Sequence, residues 1–184
     1  MRRILIVGAG GAGKSTLARR VGERLGLPVI HLDAHYWRAG WVETPADEWA
    51  AVVDRLIAGE AWVMDGNYGG TLERRLARAD TVVFLDTPRL VSLWRVLRRA
   101  LRYRGRTRPD LAPGCPEHLP DWEFVSWIWT YPRRRRGAIL ARLERLRGEK
   151  AIHVLRSTRD VERFVAGLGR GPGVAPSPLP HQTR

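Results

Sequence analysis

The stretch Gly8-Ala9-Gly10-Gly11-Ala12-Gly13-Lys14-Ser15 has the spacing G-x-x-x-x-G-K-[ST] of a phosphate-binding loop. Glycines let the backbone curl so that successive N–H groups face an anion. The N-terminus of a following helix adds partial positive charge at the same place. Lys14 suits the β- and γ-phosphates of a nucleoside triphosphate, and the Ser15 hydroxyl suits Mg²⁺. The candidate contacts to that group are Gly8, Gly10, Gly11, Ala12, Gly13, Lys14, Ser15 and Thr16. A fortuitous match in a chain this long has odds on the order of one in a few hundred from average residue usage.

Three aspartates are the next groups with chemistry to offer. Each closes an apolar run: Asp33 after Val29-Ile30-His31-Leu32, Asp65 after Ala61-Trp62-Val63-Met64, and Asp86 after Thr81–Leu85. In open α/β sheets ligands sit beyond the carboxyl ends of strands, so Asp33 is either a contact to a substrate hydroxyl, acting as general base, or a turn residue or helix cap. Asp65 and Asp86 both have the form of the strand-ending aspartate that organises Mg²⁺. Beyond Asp33 lies an aromatic loop, Tyr36-Trp37 through Trp41, which suits a flat or hydroxylated ligand or simply covers the core. Asp65-Gly66-Asn67-Tyr68 extends past its strand, and the glycine permits close approach to a ligand. Arginines crowd both sides of the segment from Gly105 to Pro120. Arginine's fixed fork of donors stabilises charge developing in phosphoryl transfer, and Arg99, Arg108 and Arg135 are the candidates for that role. The loop starting at Arg156 is placed to border a nucleobase.

The elements that must hold these groups follow from periodicity. Ile4–Val7 reads as a buried strand, and Leu17, Val21 and Leu25 follow at helical spacing, with Gly26 and Pro28 as stop signals. Thr44 is expected to cap a helix beginning at Pro45 whose apolar face is Trp49, Val52, Val53 and Leu56. Leu90, Leu93, Trp94, Leu97 and Leu101 keep helical spacing, and Asp86 before Thr87-Pro88 reads as a strand-to-helix cap. Asp121 caps a helix whose apolar density, Trp122 to Trp129, predicts burial. Ile152–Leu155 is the last strand, and Ser157 or Thr158 caps the last helix. Residues 1–168 form the expected domain, and the Gly/Pro-rich tail 169–184 is expected to be disordered.

The chain has 184 residues with a formal net charge of +13 and a sequence pI of about 11.3. Such charge fits a nucleic-acid partner or arginines gathered around phosphorylated small molecules. No helix-turn-helix spacing or zinc ligand set favours the nucleic acid. One cysteine, Cys115, excludes an internal disulfide framework and fits a cytoplasmic protein. No apolar run reaches membrane-span length. Arg2-Arg3 before Ile4–Val7 has the shape of a signal peptide with too short an apolar part. Monomer and homodimer are both compatible with the chain.

Taken together, Gly8–Thr16, Leu32-Asp33 with Tyr36-Trp37, Asp65-Gly66-Asn67-Tyr68, and Thr107-Arg108-Pro109-Asp110 with Gly114-Cys115-Pro116-Glu117 resemble the adenylate-kinase-like P-loop kinases. Within them the chain is most similar to the branch known as DNA topology modulation proteins (FlaR-like). The resemblance implies a three-layer α/β/α fold with a parallel sheet of about five strands in the order 2-3-1-4-5 and a short lid near 103–120. It implies ATP and Mg²⁺ as cofactors, a small-molecule phosphate acceptor, and Asp65 rather than Asp86 as the metal-organising aspartate, because its strand would lie beside that of the phosphate loop. Asp33, Tyr36, Trp37, Asp65, Asn67 and Tyr68 are the expected acceptor-side residues. Adenylate kinases follow their Asp-Gly with a Pro-Arg pair that holds AMP phosphate. Asn67-Tyr68 stands there in this chain, which leaves a hydroxylated or a different phosphorylated acceptor open. The resemblance to this branch also keeps a nucleotide-dependent DNA-binding role as the alternative.

Overall fold

The computed structural model describes residues 1–169, so the tail expectation lies outside the described residues. Strands β1 (Arg3–Gly8), β2 (Val29–His31), β5 (Trp62–Asp65), β6 (Thr81–Leu85) and β7 (Ala151–Leu155) form one parallel sheet, and the two-residue strands β3 (Trp37–Arg38) and β4 (Val42–Glu43) pair separately. The sheet runs β2-β5-β1-β6-β7, which is the order 2-3-1-4-5 when its own strands are counted. Ile6 pairs with Asp65 and with Val83, so β5 and β6 flank β1 on its two sides.

Alternation along β1 builds the three layers. Leu5 and Val7 face one cluster with Trp62, Met64, Val82 and Phe84. Ile4 and Ile6 face the other with Val63, Val83 and Leu85. Because successive side chains of a strand point to opposite faces, a continuous apolar strand needs helices on both sides. On the first side Trp49, Val53 and Ile57 come from α3 (Ala46–Ile57), Leu76 from α4 (Leu72–Arg78), and Tyr131 and Leu143 from α6 (Trp122–Tyr131) and α7 (Gly137–Arg145). On the second, Leu17, Ala18 and Val21 of α1 (Lys14–Leu25) meet Val161, Phe164 and Val165 of α8 (Thr158–Gly167).

The remaining helices position the site. A short α2 (Leu32–Tyr36) follows β2 directly, and α5 (Arg89–Arg102) leads from β6 toward the segment 103–120. One wide turn of π-helix, Pro132–Arg136, joins α6 to α7, so the four-arginine run continues the helix instead of breaking it.

Several local expectations are corrected. β2 stops at His31, and Asp33 sits in the first turn of α2. Thr44 does not cap α3; its hydroxyl donates to the Tyr36 carbonyl at 2.6 Å, tying the aromatic loop closed. In α5 the core contacts are Ser92, Val96 and Ala100, while Leu90, Trp94, Leu97 and Leu101 are exposed. Small residues win the inner face because α5 lies directly on the phosphate loop: a Cβ at Gly11 would stand 2.2 Å from the Ser92 carbonyl oxygen. In α6 only Ile128 and Tyr131 are buried, and Trp122 is 81% exposed. The caps at Asp121 and Ser157 form as expected, the latter as a capping box with Asp160.

Candidate active site

Helix α1 begins without a side-chain cap and without an acidic residue in its first turn. Its first N–H groups have no intrahelical partner, and Gly13, Lys14, Ser15 and Thr16 line an open cavity of about 1170 Å³. That arrangement fits a polyphosphate. Lys14 Nζ donates to the Ala9 carbonyl at 3.0 Å, folding the side chain back along the loop. Burial lowers the Lys14 pKa, against the raising influence of the Asp33 and Asp65 carboxylates.

The turn after β5 crosses in front of this loop. Asn67 Oδ1 accepts from the Gly8 N–H at 3.3 Å. Tyr68 donates its phenol proton to Asp33 Oδ1 at 2.6 Å. Burial, then the charge and hydrogen bond of Asp33, push the Tyr68 pKa upward, so the phenol remains a donor. Asp65 is almost fully buried and lies 3.0 Å from His31 Nδ1. Burial disfavours the charged imidazole, but the Asp65 hydrogen bond and charge outweigh it, and the His31 pKa is raised. Among the described residues no group of three or more His, Cys, Asp or Glu is arranged to hold a metal ion. A divalent cation here would draw most of its ligands from phosphate oxygens and water, with Ser15 and Asp65 at hand, as Mg²⁺ does in nucleotide sites.

The segment 103–120 is folded and docked. Glu117 N donates to the Arg106 carbonyl, and Gly105 N to the Glu117 carbonyl. Gly40 N donates to the Gly114 carbonyl at 2.8 Å, Trp41 Nε1 to the Pro116 carbonyl at 2.9 Å, and Cys115 Sγ to the Arg38 carbonyl at 3.2 Å. Buried Glu117 accepts from Arg99 Nε at 2.9 Å and from Arg108 Nε at 2.6 Å, and Arg108 also bonds Asp110. Glu117 thus holds two of the three expected arginines at the cavity wall.

The cavity brings together Gly10, Gly11, Gly13, Lys14, Ser15 and Thr16 with Asp33, Trp37, Asp65, Asn67 and Tyr68, and with Arg99 and Arg108. Other expected contacts fall elsewhere. Gly8 and Ala12 do not line the cavity; Gly8 meets Asn67, and the Ala12 carbonyl accepts from Arg95 Nη1 at 2.9 Å. Tyr36 stands behind the wall, tilted against Tyr68 at 4.5 Å between centroids and edge-on to Trp49 at 5.1 Å. Arg135 does not line the cavity; its guanidinium lies beside Gly69, because the π-turn points neighbouring arginines in different directions. Arg156 also lies outside, paired at 3.4 Å with Asp86, because β7 is the edge strand. Asp86 is not the helix cap. It accepts from Arg136 Nε and Nη2 at 2.7 and 2.8 Å.

Two groups escaped sequence reasoning. Glu117 was legible only as part of a motif. Arg75 carried no signal at all: it lies in α4 among other arginines, yet is fully buried and donates to the carbonyls of Gly66, Asn67, Tyr68 and Thr71.

The Asp86 pair yields a pH prediction. The hydrogen bonds from Arg136 hold the Asp86 carboxyl below its ordinary value, against the effect of burial. A depressed folded pKa stabilises above the unfolded carboxylate pKa and is lost as pH falls through the folded value. Asp86→Asn is therefore expected to cost about 1 kcal/mol at pH 7, allowing for solvent around the exposed Arg136. The difference from wild type in urea melts should close as pH falls below about 4.

No protein-family model matches the chain. YqaC of Bacillus subtilis (strain 168), described as an uncharacterized protein, is 29% identical over 135 residues, 71% of this chain and 72% of YqaC. A shikimate kinase of Rhodopseudomonas palustris (strain ATCC BAA-98 / CGA009) is 32% identical over 126 residues, 60% of this chain and 62% of that protein. Among solved structures, shikimate kinase from Acinetobacter baumannii in complex with shikimate superposes with a TM-score of 0.59 at 18% identity, covering 90% of this chain and 89% of that one. Shikimate kinase from Bacteroides thetaiotaomicron gives 0.53 at 18% identity, covering 90% and 94%. At such identity the two structures establish the fold, the three-layer α/β/α architecture of P-loop proteins, as the chain's own.

Proposed function

We propose that the protein is an ATP-dependent phosphotransferase acting on a hydroxylated small molecule. The observation that carries this reading is the meeting of an uncapped, lysine-bearing helix N-terminus with the Asp33 carboxylate across one cavity. The likeness to shikimate kinases in sequence and fold supports the same class of reaction. The first-turn N–H groups of α1 and Lys14 hold the phosphates. Ser15 and Asp65 would hold Mg²⁺, which when bound neutralises charge on the β- and γ-oxygens. Asp33 takes the proton of the acceptor hydroxyl, with Tyr68 fixing the orientation of its carboxylate. Trp37 and Trp41, packed edge to face, supply an aromatic wall for the acceptor. Arg99 and Arg108, presented by Glu117, face the charge that develops on the transferring group.

The test is ADP release by the purified protein with MgATP and a panel of hydroxylated metabolites, shikimate among them. Turnover with one chemical class is the expected result. If neither MgATP nor MgGTP associates in a titration, the reading fails. A DNA-directed role would appear in the same preparation as nucleotide-dependent DNA binding that weakens steeply with salt. Some surface arginines are engaged within the chain, in pairs such as Arg20–Glu162, Arg74–Asp54 and Arg142–Glu73.

A further inference from the structure

The turn Gly66-Asn67-Tyr68 is held in an unfavourable shape. Gly66 has φ 132°, and a Cβ there would stand 2.7 Å from Leu32 Cβ. Tyr68, a non-glycine residue, has φ 24° and ψ 78°. Such backbone persists only where surrounding contacts over-determine it. Thr71 N and Oγ1 donate to the Tyr68 carbonyl at 3.1 and 3.2 Å, and one side chain ties all three carbonyls of the turn together. Arg75 Nη1 donates to the Gly66 carbonyl at 2.9 Å, and Nη2 to those of Asn67 and Tyr68 at 2.6 and 2.7 Å. Nε reaches the Thr71 carbonyl at 3.3 Å. The guanidinium makes no ion pair among the described residues and is wholly inaccessible to solvent. Burying an unpaired charge is costly, and burial pushes the Arg75 pKa down to about 10. Four carbonyl dipoles offset that cost, and the planar fork of donors is what lets one group gather carbonyls of three consecutive residues.

With its carbonyls turned toward Arg75, the turn places its side chains on the cavity. Asn67 braces the Gly8 N–H at the mouth of the phosphate loop, and Tyr68 orients Asp33. We infer that Arg75 is a positioning residue that holds the 66–68 turn in its strained form and so sets the phosphate loop and the Asp33 carboxylate in register. Arg75 does not line the cavity and acts through Asn67 and Tyr68. This inference rests on the phosphotransferase reading for its kinetic consequence, but not for its structural one.

The experiment compares Arg75→Gln and Arg75→Lys with Asn67→Ala and Tyr68→Phe. Arg75→Gln removes the buried charge and keeps an amide donor, whereas Arg75→Lys keeps a cationic group and loses the planar fork of donors. The ligand-free readout is the Gly8 amide signal in a ¹H–¹⁵N spectrum. It should shift in Arg75→Gln in the same direction as in Asn67→Ala. With an acceptor from the panel, kcat/KM should fall about 10²-fold, the cost of misplacing reacting groups by about 1 Å. Tyr68→Phe should cost little further in the Arg75→Gln background, because the phenol is no longer aimed. An unmoved Gly8 amide, or unchanged kcat and KM alongside a lower urea midpoint, would make Arg75 merely structural and overturn the inference. If wild type binds no MgATP, the phosphotransferase reading falls while the Gly8 signal still decides the role of Arg75.

Discussion

Lys14→Ala is expected to keep its fold and lose turnover by about 10²–10³-fold in kcat, the range seen when one preorganised donor to a transition-state oxyanion is removed. The fold should survive because Lys14 Nζ makes a single hydrogen bond, to the Ala9 carbonyl, and contributes nothing to either apolar cluster. Its burial already disfavours the ammonium, so deleting the charge relieves a desolvation cost. The loss falls on chemistry because the ammonium sits at the helix N-terminus where phosphate charge would gather. ADP release, read beside circular dichroism and a urea melt, separates the two effects. Retained turnover in a folded Lys14→Ala protein would remove the phosphate loop from the reaction.

Asp33→Asn should leave MgATP binding near its wild-type affinity and lower kcat by about 10²–10⁴-fold, the contribution of a positioned general base. Asparagine keeps an oxygen where Tyr68 donates at 2.6 Å, so the turn and the cavity wall stay in place. What disappears is the ability to take a proton. A nucleotide titration alongside steady-state kinetics distinguishes this from a folding defect. If Asp33→Asn turns over acceptor at the wild-type rate, Asp33 is a contact to the acceptor and not its base. If it loses MgATP binding as well, the carboxylate belongs to the nucleotide side.

The strands were legible because continuous apolar runs such as Ile4–Val7 and Thr81–Leu85 admit little besides a doubly covered sheet, whereas their order was expected only from the resemblance to adenylate-kinase-like kinases. Periodicity misled at α5, where Leu90, Trp94, Leu97 and Leu101 mark a true helical stripe that faces outward. The core side instead had to be small enough to rest on Gly11, and spacing alone does not say which face meets a neighbour. Asp86 and Thr44 looked like caps because each precedes a helix, but Asp86 accepts from Arg136, far along the chain, and the Thr44 hydroxyl donates back to the Tyr36 carbonyl.

From its residue order alone the chain specified a phosphate-binding loop on a strand-to-helix junction, and with it the edge of the sheet where chemistry occurs. Both are local: glycine content, one lysine and hydrophobic period act within a few residues of one another. Which arginines face the cavity depended on long-range pairing instead. Thirty-two Lys and Arg residues are nearly interchangeable as text. Burial sorts them, since a guanidinium taken out of water must find acceptors, and only the folded chain brings Glu117 to Arg99 and Arg108, Asp86 to Arg136, and three successive carbonyls to Arg75.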